Sequence, residues 1–284
     1  MAPTIPEVNE IAAAWVDGVL VEPGRAVVSA FDHGLTVGDG VFETLRVARG
    51  VPFALHRHLD RLASSATVLG LLLPDPAVLE GAVAEVVVAS GLSEARLRVT
   101  VTGGPAPLGS GRGTTGPTVV VAAAALEPFP PTAAVAVVPW ARNEHSAVAG
   151  AKTTSYAENV VALAHARRVG AGEAIFANTR GELCEGTGSN VVVGVGGRLV
   201  TPPLSSGCLA GVTRALVLAC AEVAEETLPV GTLAAADEAF LTSTTRDIQP
   251  ISVVDGQPLP VAPGPLTRSA MQAFAALVAG DTDP

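Results

Sequence analysis

Gly150-Ala151-Lys152-Thr153-Thr154-Ser155-Tyr156 holds the only lysine and the only tyrosine among 284 residues. The other basic residues counted in the Lys+Arg total of 17 are all arginine. On a solvated surface the two cations largely exchange, so a chain biased this far toward Arg points to a task at position 152 that guanidinium cannot do. Arg stays protonated and is no nucleophile. A lysine amine can lose its proton when desolvated or set near another cation, and it can then attack a carbonyl to give a Schiff base. Lys152 is therefore the candidate catalytic residue.

Complementary groups appear on both sides of it. Upstream, Arg57 and Arg61 lie one turn apart on a stretch of helical spacing, with Leu55, Leu59, Leu62, Ala66 and Leu69 on one face. Downstream, Glu185 sits among glycines and small residues in Glu182-Leu183-Cys184-Glu185-Gly186-Thr187-Gly188-Ser189-Asn190, where an acid at a strand end can approach a ring edge. Gly211-Val212-Thr213 opens a helix, whose free N–H groups and hydroxyl suit a phosphate. Ser243 and Thr244 form a second hydroxyl pair at a strand end. A Schiff-base lysine, an acid for a pyridine nitrogen and donors for a phosphate are the parts that pyridoxal phosphate requires of a protein, and Arg61 can add a bidentate phosphate contact.

Around these groups, residues 14–21 read as a strand pair turning at Asp17-Gly18. The stretch from Ser29 to Gly40, with three glycines, reads as tightly turning backbone. Residues 41–47, 51–55 and 95–102 read as strands, the last alternating Arg96, Arg98, Thr100 against Leu97, Val99, Val101. Helices are expected over 56–70 and from Pro74-Asp75-Pro76 to Gly91. Residues 103–117, rich in Gly and Pro, can be neither helix nor central strand. They are either a linker or a loop lining a site between domains. Residues 1–103 are accordingly expected to form an N-terminal α/β domain, 104–117 an interdomain loop and 118–284 a C-terminal domain. In the latter, short strands mix with helices over 156–169, 211–226 and 265–279, Ser155 being a candidate cap for the first. Without strict βαβ alternation the fold class is α+β, with a partly antiparallel sheet in each domain.

Composition narrows the function. Hydrophobic residues make up 49% and charged residues 15%, as in a globular chain. The net charge of −10 and the lack of a basic cluster exclude a nucleic-acid partner. No apolar run approaches the roughly 20 residues of a membrane-spanning helix, and no secretory signal is read at the N-terminus. Cys184, Cys208 and Cys220 lack metal spacing, so no metal is expected and a cytoplasmic location is. His56-Arg57-His58 reads as a solvated helix start.

The chain resembles the class IV aminotransferases, the fold-type-IV pyridoxal-phosphate enzymes. The resemblance runs from about Trp15 to Asp255 through Gly38-Asp39-Gly40-Val41-Phe42-Glu43-Thr44, His58-Leu59-Asp60-Arg61-Leu62, the region of Lys152, Glu185-Gly186 with Ser189-Asn190, Gly211-Val212-Thr213-Arg214 and Thr242-Ser243-Thr244-Thr245. It implies a two-domain, D-amino-acid-aminotransferase-like fold with the site at the domain interface, and a homodimer. It implies that Lys152 carries the cofactor, that Glu185 meets the ring nitrogen, and that Arg61, Val212, Thr213, Ser243 and Thr244 cup the phosphate. Leu209 would pack against one ring face. Branched-chain members place a tyrosine five residues after the lysine; here position 157 is Ala, and the role of Tyr156 stays open. Gly109-Ser110-Gly111-Arg112-Gly113 resembles the Gly-Gly-Arg-Gly loop of aminodeoxychorismate lyases. The expected activity is therefore a lyase of folate biosynthesis that converts 4-amino-4-deoxychorismate to 4-aminobenzoate and pyruvate, with Arg112 on a substrate carboxylate. The alternative is an aminotransferase acting on branched-chain or other amino acids with 2-oxoglutarate. Either takes a small-molecule amino substrate.

Overall fold

The computed structural model describes residues 11–284, which divide into two compact units. The expectation of no secretory signal concerns the amino-terminal residues and lies outside the described ones. No helix among the described residues is long and apolar enough to cross a membrane.

The first unit is a six-stranded sheet in the order β2-β1-β6-β5-β3-β4, antiparallel at every pairing. Its strands are β1 (Ile11–Val16), β2 (Val19–Val21), β3 (Gly40–Ala48), β4 (Val51–Pro52), β5 (Glu94–Thr102) and β6 (Thr118–Ala125). β1 and β2 join through Asp17 and Gly18, both at positive φ, the geometry whose twist suits a two-residue hairpin. A short helix α1 (His33–Thr36) follows, capped by the Asp32 carboxylate, which accepts from Gly34 N–H. Helices α2 (Leu55–Leu69) and α3 (Pro76–Ser90) pack on one face of the sheet. There Val41, Leu45 and Val47 of β3 and Leu97, Val99 and Val101 of β5 meet Leu59, Leu62, Val83 and Val86. Strand alternation with period two puts Phe42, Thr44, Arg96 and Arg98 on the other face.

The expected domain boundary is corrected. β6 pairs with β5 from Ala95↔Ala125 to Thr102↔Thr118 and with β1 on its other edge, so it is a central strand of the first sheet. The first unit therefore runs through Glu127 and takes in Ala151–Ser155 as well. The Gly/Pro-rich stretch before β6 is a loop inside this unit, not the joint between two.

The second unit holds a nine-stranded mixed sheet in the order β12-β11-β10-β13-β14-β7-β8-β9, with β15 paired to β14. In chain order its elements are β7 (Ala133–Arg142), α4 (Ala157–Arg168), β8 (Glu173–Asn178), β9 (Leu183–Gly186), β10 (Asn190–Val195), β11 (Arg198–Thr201), α5 (Val212–Cys220), β12 (Val223–Glu225), β13 (Glu238–Ser243), β14 (Asp247–Val254), β15 (Gln257–Pro258) and α6 (Pro265–Gly280). The helix expected over 211–226 stops at Cys220, because Val223–Glu225 pairs in parallel with β11 and satisfies its backbone there. Ser155 does not cap α4. Tyr156 is the N-cap residue, and the Ser155 hydroxyl donates instead to Gly38 O, within the first unit.

Candidate active site

In the first unit the Lys152 segment lies along the start of β3. Lys152 N–H donates to Ser65 Oγ at 3.0 Å, Lys152 O accepts from Phe42 N–H at 3.0 Å, and Thr154 N–H donates to Gly40 O at 2.8 Å. The amine stands 4.5 Å from the centroid of the buried Phe42 ring, a cation–π contact. The Arg98 guanidinium stands over the same ring at 3.7 Å. Lys152 and Arg98 therefore share one aromatic support.

Arg61, expected from sequence, comes from α2 with two companions the sequence reading missed. Its Nε and Nη2 donate to the two oxygens of Glu43 at 2.7 Å each, a bidentate fork. His58 Nδ1 contacts Glu43 Oε2 at 2.6 Å. Glu43 and His58 are both fully enclosed, so the expected solvated helix start is corrected at His58. Burial pushes the Glu43 carboxyl up, but the Arg61 charge and hydrogen bonds, with His58, outweigh it and hold the group at about 2. Burial depresses the His58 pKa, against the pull of Glu43. One signal was present in the sequence: Val41, Glu43, Leu45 and Val47 form one file of the strand, and an acid interrupts it.

Arg112 is tied to partners of its own unit. Its Nε and Nη2 donate to Asp39 at 2.7 and 2.6 Å, Nη1 to Gly70 O at 2.5 Å and Nη2 to Leu69 O at 2.8 Å. It ties the loop before β6 to Asp39 and to the C-terminal carbonyls of α2, where a cation complements the helix dipole. His33 adds to this latch through Asp39 Oδ2 at 3.2 Å and Gly109 O at 3.0 Å. These four hydrogen bonds hold Arg112 within the first unit.

In the second unit Glu185 lies near the end of β9, one residue before Gly186. Its Oε2 accepts from Leu209 N–H at 2.8 Å, and Arg142 Nε lies 3.2 Å from Oε1 as an ion pair without hydrogen-bond alignment. Arg142, also missed from sequence, is held by Asn159 at 2.9 Å, by Glu158 and by the Phe176 ring at 4.2 Å. The acid is thus oriented from two sides. The start of α5 has buried Val212 and Thr213 and no side-chain cap. Only glycine fits at its N-cap, because a Cβ on Gly211 would lie 2.0 Å from Asn190 Oδ1, while Asn190 donates to Leu209 O. α5 packs against β13, at whose end the buried Ser243 hydroxyl lacks a hydrogen-bond partner. Thr244 opens the next turn, where Arg246 pairs at 2.7 Å with buried Glu173, which also accepts from Thr187 N–H just past Glu185. Leu209, Val212, Thr213, Ser243, Thr244 and Glu185 all belong to this unit, and Lys152 and Arg61 to the other.

These are the parts of a class of enzyme that joins a reactive lysine to a phosphate-bearing heterocycle. The amino-transferase class IV family model matches residues 40–254, and the chain belongs to that family. A Methanocaldococcus jannaschii protein, provisionally named a branched-chain-amino-acid aminotransferase, is 35% identical over 86% of this chain and 88% of its own. The Mycobacterium tuberculosis bifunctional aminodeoxychorismate lyase / D-amino acid transaminase is 32% identical over 87% and 93%. The solved branched-chain aminotransferase of the thermophilic archaeon Thermoproteus uzoniensis, with norvaline, superposes with a TM-score of 0.88 at 32% identity, covering 95% of both chains. The fold is that of fold-type-IV enzymes, and class IV aminotransferases use pyridoxal phosphate. The donors of the second unit fit that cofactor: an uncapped buried helix start and a buried hydroxyl lacking a partner suit a phosphate, and an oriented acid suits a ring nitrogen.

Proposed function

We propose that the protein is an aminotransferase that moves the amino group of a branched-chain or other amino acid to a 2-oxo acid such as 2-oxoglutarate. Lys152 is the attachment point for pyridoxal phosphate and the base that carries the proton at the substrate carbon. Glu185 meets the ring nitrogen, Leu209 packs on the ring, and Arg61, Val212, Thr213, Ser243 and Thr244 hold the phosphate. Bound there, the cofactor supplies an electron sink for the pair left when that proton is removed.

The chain's own contribution is positioning. Backbone bonds on both sides of Lys152 fix where its side chain starts, and the Phe42 ring supports its ammonium form between proton transfers. Arg142 and the Leu209 N–H keep Glu185 aimed. Arg98, on the same ring as Lys152, is the candidate for a substrate carboxylate. The working form is a homodimer in the cytoplasm.

The observation that favours transamination over the lyase expected from sequence is the commitment of Arg112 to Asp39 and α2. The branched-chain relatives point the same way. The bifunctional relative keeps the lyase as the second reading. A split assay separates them: L- and D-amino acids with 2-oxoglutarate, followed as glutamate, against aminodeoxychorismate, followed as 4-aminobenzoate. Glutamate without 4-aminobenzoate is expected. Rapid 4-aminobenzoate with no glutamate would overturn the reading.

A further inference from the structure

We infer that Glu43 is a positioning residue for the cofactor phosphate, acting through Arg61; this rests on the reading of Arg61 as a phosphate ligand. Val41, Leu45 and Val47 are buried against α2, and Glu43 occupies the same file with no exposed surface. An apolar side chain there would be the plain solution for a core, since removing a charge from water costs several kcal/mol per ion before any pairing. The chain instead buries a carboxylate and surrounds it with a guanidinium and an imidazole. Such a departure from local rules marks a residue kept for use.

What it organises is one face of α2. His58, Arg61 and Ser65 recur at i, i+3 and i+7, so they share that face. His58 and Arg61 grip the two oxygens of Glu43, and Ser65 accepts the Lys152 N–H. The helix enters at a fixed angle through Ala54, a buried non-glycine residue at φ 54°, a backbone strain that the packing around it must hold. One buried acid on β3 thus sets the plane of the Arg61 fork on the same helix that fixes the Lys152 backbone. Bidentate pairing through Nε and Nη2 removes rotation of the guanidinium, so its other N–H groups keep one direction. A freely rotating Arg61 would lose entropy on meeting an anion, and Glu43 removes that loss beforehand.

A purely structural ion pair would alter stability without altering which ligand binds, and this separates the two roles. The full-length chain, stripped of cofactor, is titrated with pyridoxal phosphate and with pyridoxal, for wild type, Glu43→Gln, Arg61→Gln and the double variant. Wild type is expected to prefer the phosphorylated ligand. Glu43→Gln should weaken pyridoxal phosphate on the order of tenfold, as loss of a supporting partner does at other bound groups, and leave pyridoxal within about twofold. In the Arg61→Gln background the Glu43 substitution should have no further effect on phosphate preference. Equal losses for both ligands, or a Glu43 effect undiminished without Arg61, would overturn the inference while leaving the aminotransferase reading intact. A wild type that binds both ligands equally would overturn the phosphate role of Arg61 itself. Should Glu43→Gln not fold, Glu43→Asp keeps the charge and shortens the reach, and the same selective loss of phosphate preference is expected. Its absence would count against the inference equally.

Discussion

Arg112→Ala sets the internal latch of Arg112 against the substrate role expected from sequence. The substitution removes four hydrogen bonds, two to Asp39 and one each to the carbonyls of Leu69 and Gly70. In a dry interior such charge-assisted bonds would be strong, but the Arg112 side chain is 34% exposed and Asp39 15%, so solvent screens them. An exposed ion pair contributes up to about 1 kcal/mol, and a cation at a helix C-terminus adds about 0.5–1 kcal/mol. The variant should lose about 2 kcal/mol, which lowers Tm by roughly 6 °C for a unit of this size. The Arg112 hydrogen bond holds the Asp39 carboxyl below its ordinary range, against burial and with help from His33. A depressed folded pKa contributes stability that is complete above the unfolded value and lost as pH falls through the folded one. The gap between wild type and variant should therefore narrow as pH falls below the ordinary carboxylate range. Urea unfolding at several pH values measures it, alongside KM for amino donor and acceptor, which should stay within about twofold. Unchanged stability with a tenfold rise in KM would refute the latch and restore Arg112 to the substrate.

Acid should loosen the first unit through a second route. Glu43 at about 2 contributes stability that is full above the ordinary glutamate value of 4.5 and lost as pH falls from there toward 2, about 3 kcal/mol in all. His58, depressed by burial, adds a loss that begins as pH falls below 6.5. Thermal unfolding against pH should show this slope in wild type and a shallower one below pH 5 in Glu43→Gln; identical slopes would contradict the assignment. In the second unit, α6 starts at a Gly264 N-cap without a side-chain bond, and buried Glu238 on β13 accepts from Leu266 and Thr267 N–H at 3.1 and 2.7 Å. Glu238→Ala should cost about 2 kcal/mol in urea unfolding and speed amide exchange in the first turn of α6, and no change in that turn would refute the cap.

Periodicity carried what it could. The alternation of Arg96, Arg98 and Thr100 against Leu97, Val99 and Val101 describes β5, and the leucine spacing describes α2. Glycine and proline mark where backbone bends, not which sheet the next strand joins, so the loop before β6 read as a domain joint. Ala221–Glu226 has no feature that separates helix end from edge strand until β11 offers a partner. The ionic pairs were out of reach for the same reason. Arg112 meets Asp39 across 73 residues, and Glu43 meets Arg61 across 18 from a different element. Lys152 stands out in the sequence because chemistry, not packing, makes a single lysine conspicuous.

The central claim is that Lys152 carries the cofactor. Purified protein treated with borohydride and digested should yield one peptide, spanning Lys152, with the mass of the reduced cofactor added to that lysine, and Lys152→Ala should yield none and have no transaminase activity. An unmodified Lys152 in a sample that transaminates, or undiminished turnover by Lys152→Ala, would contradict the account.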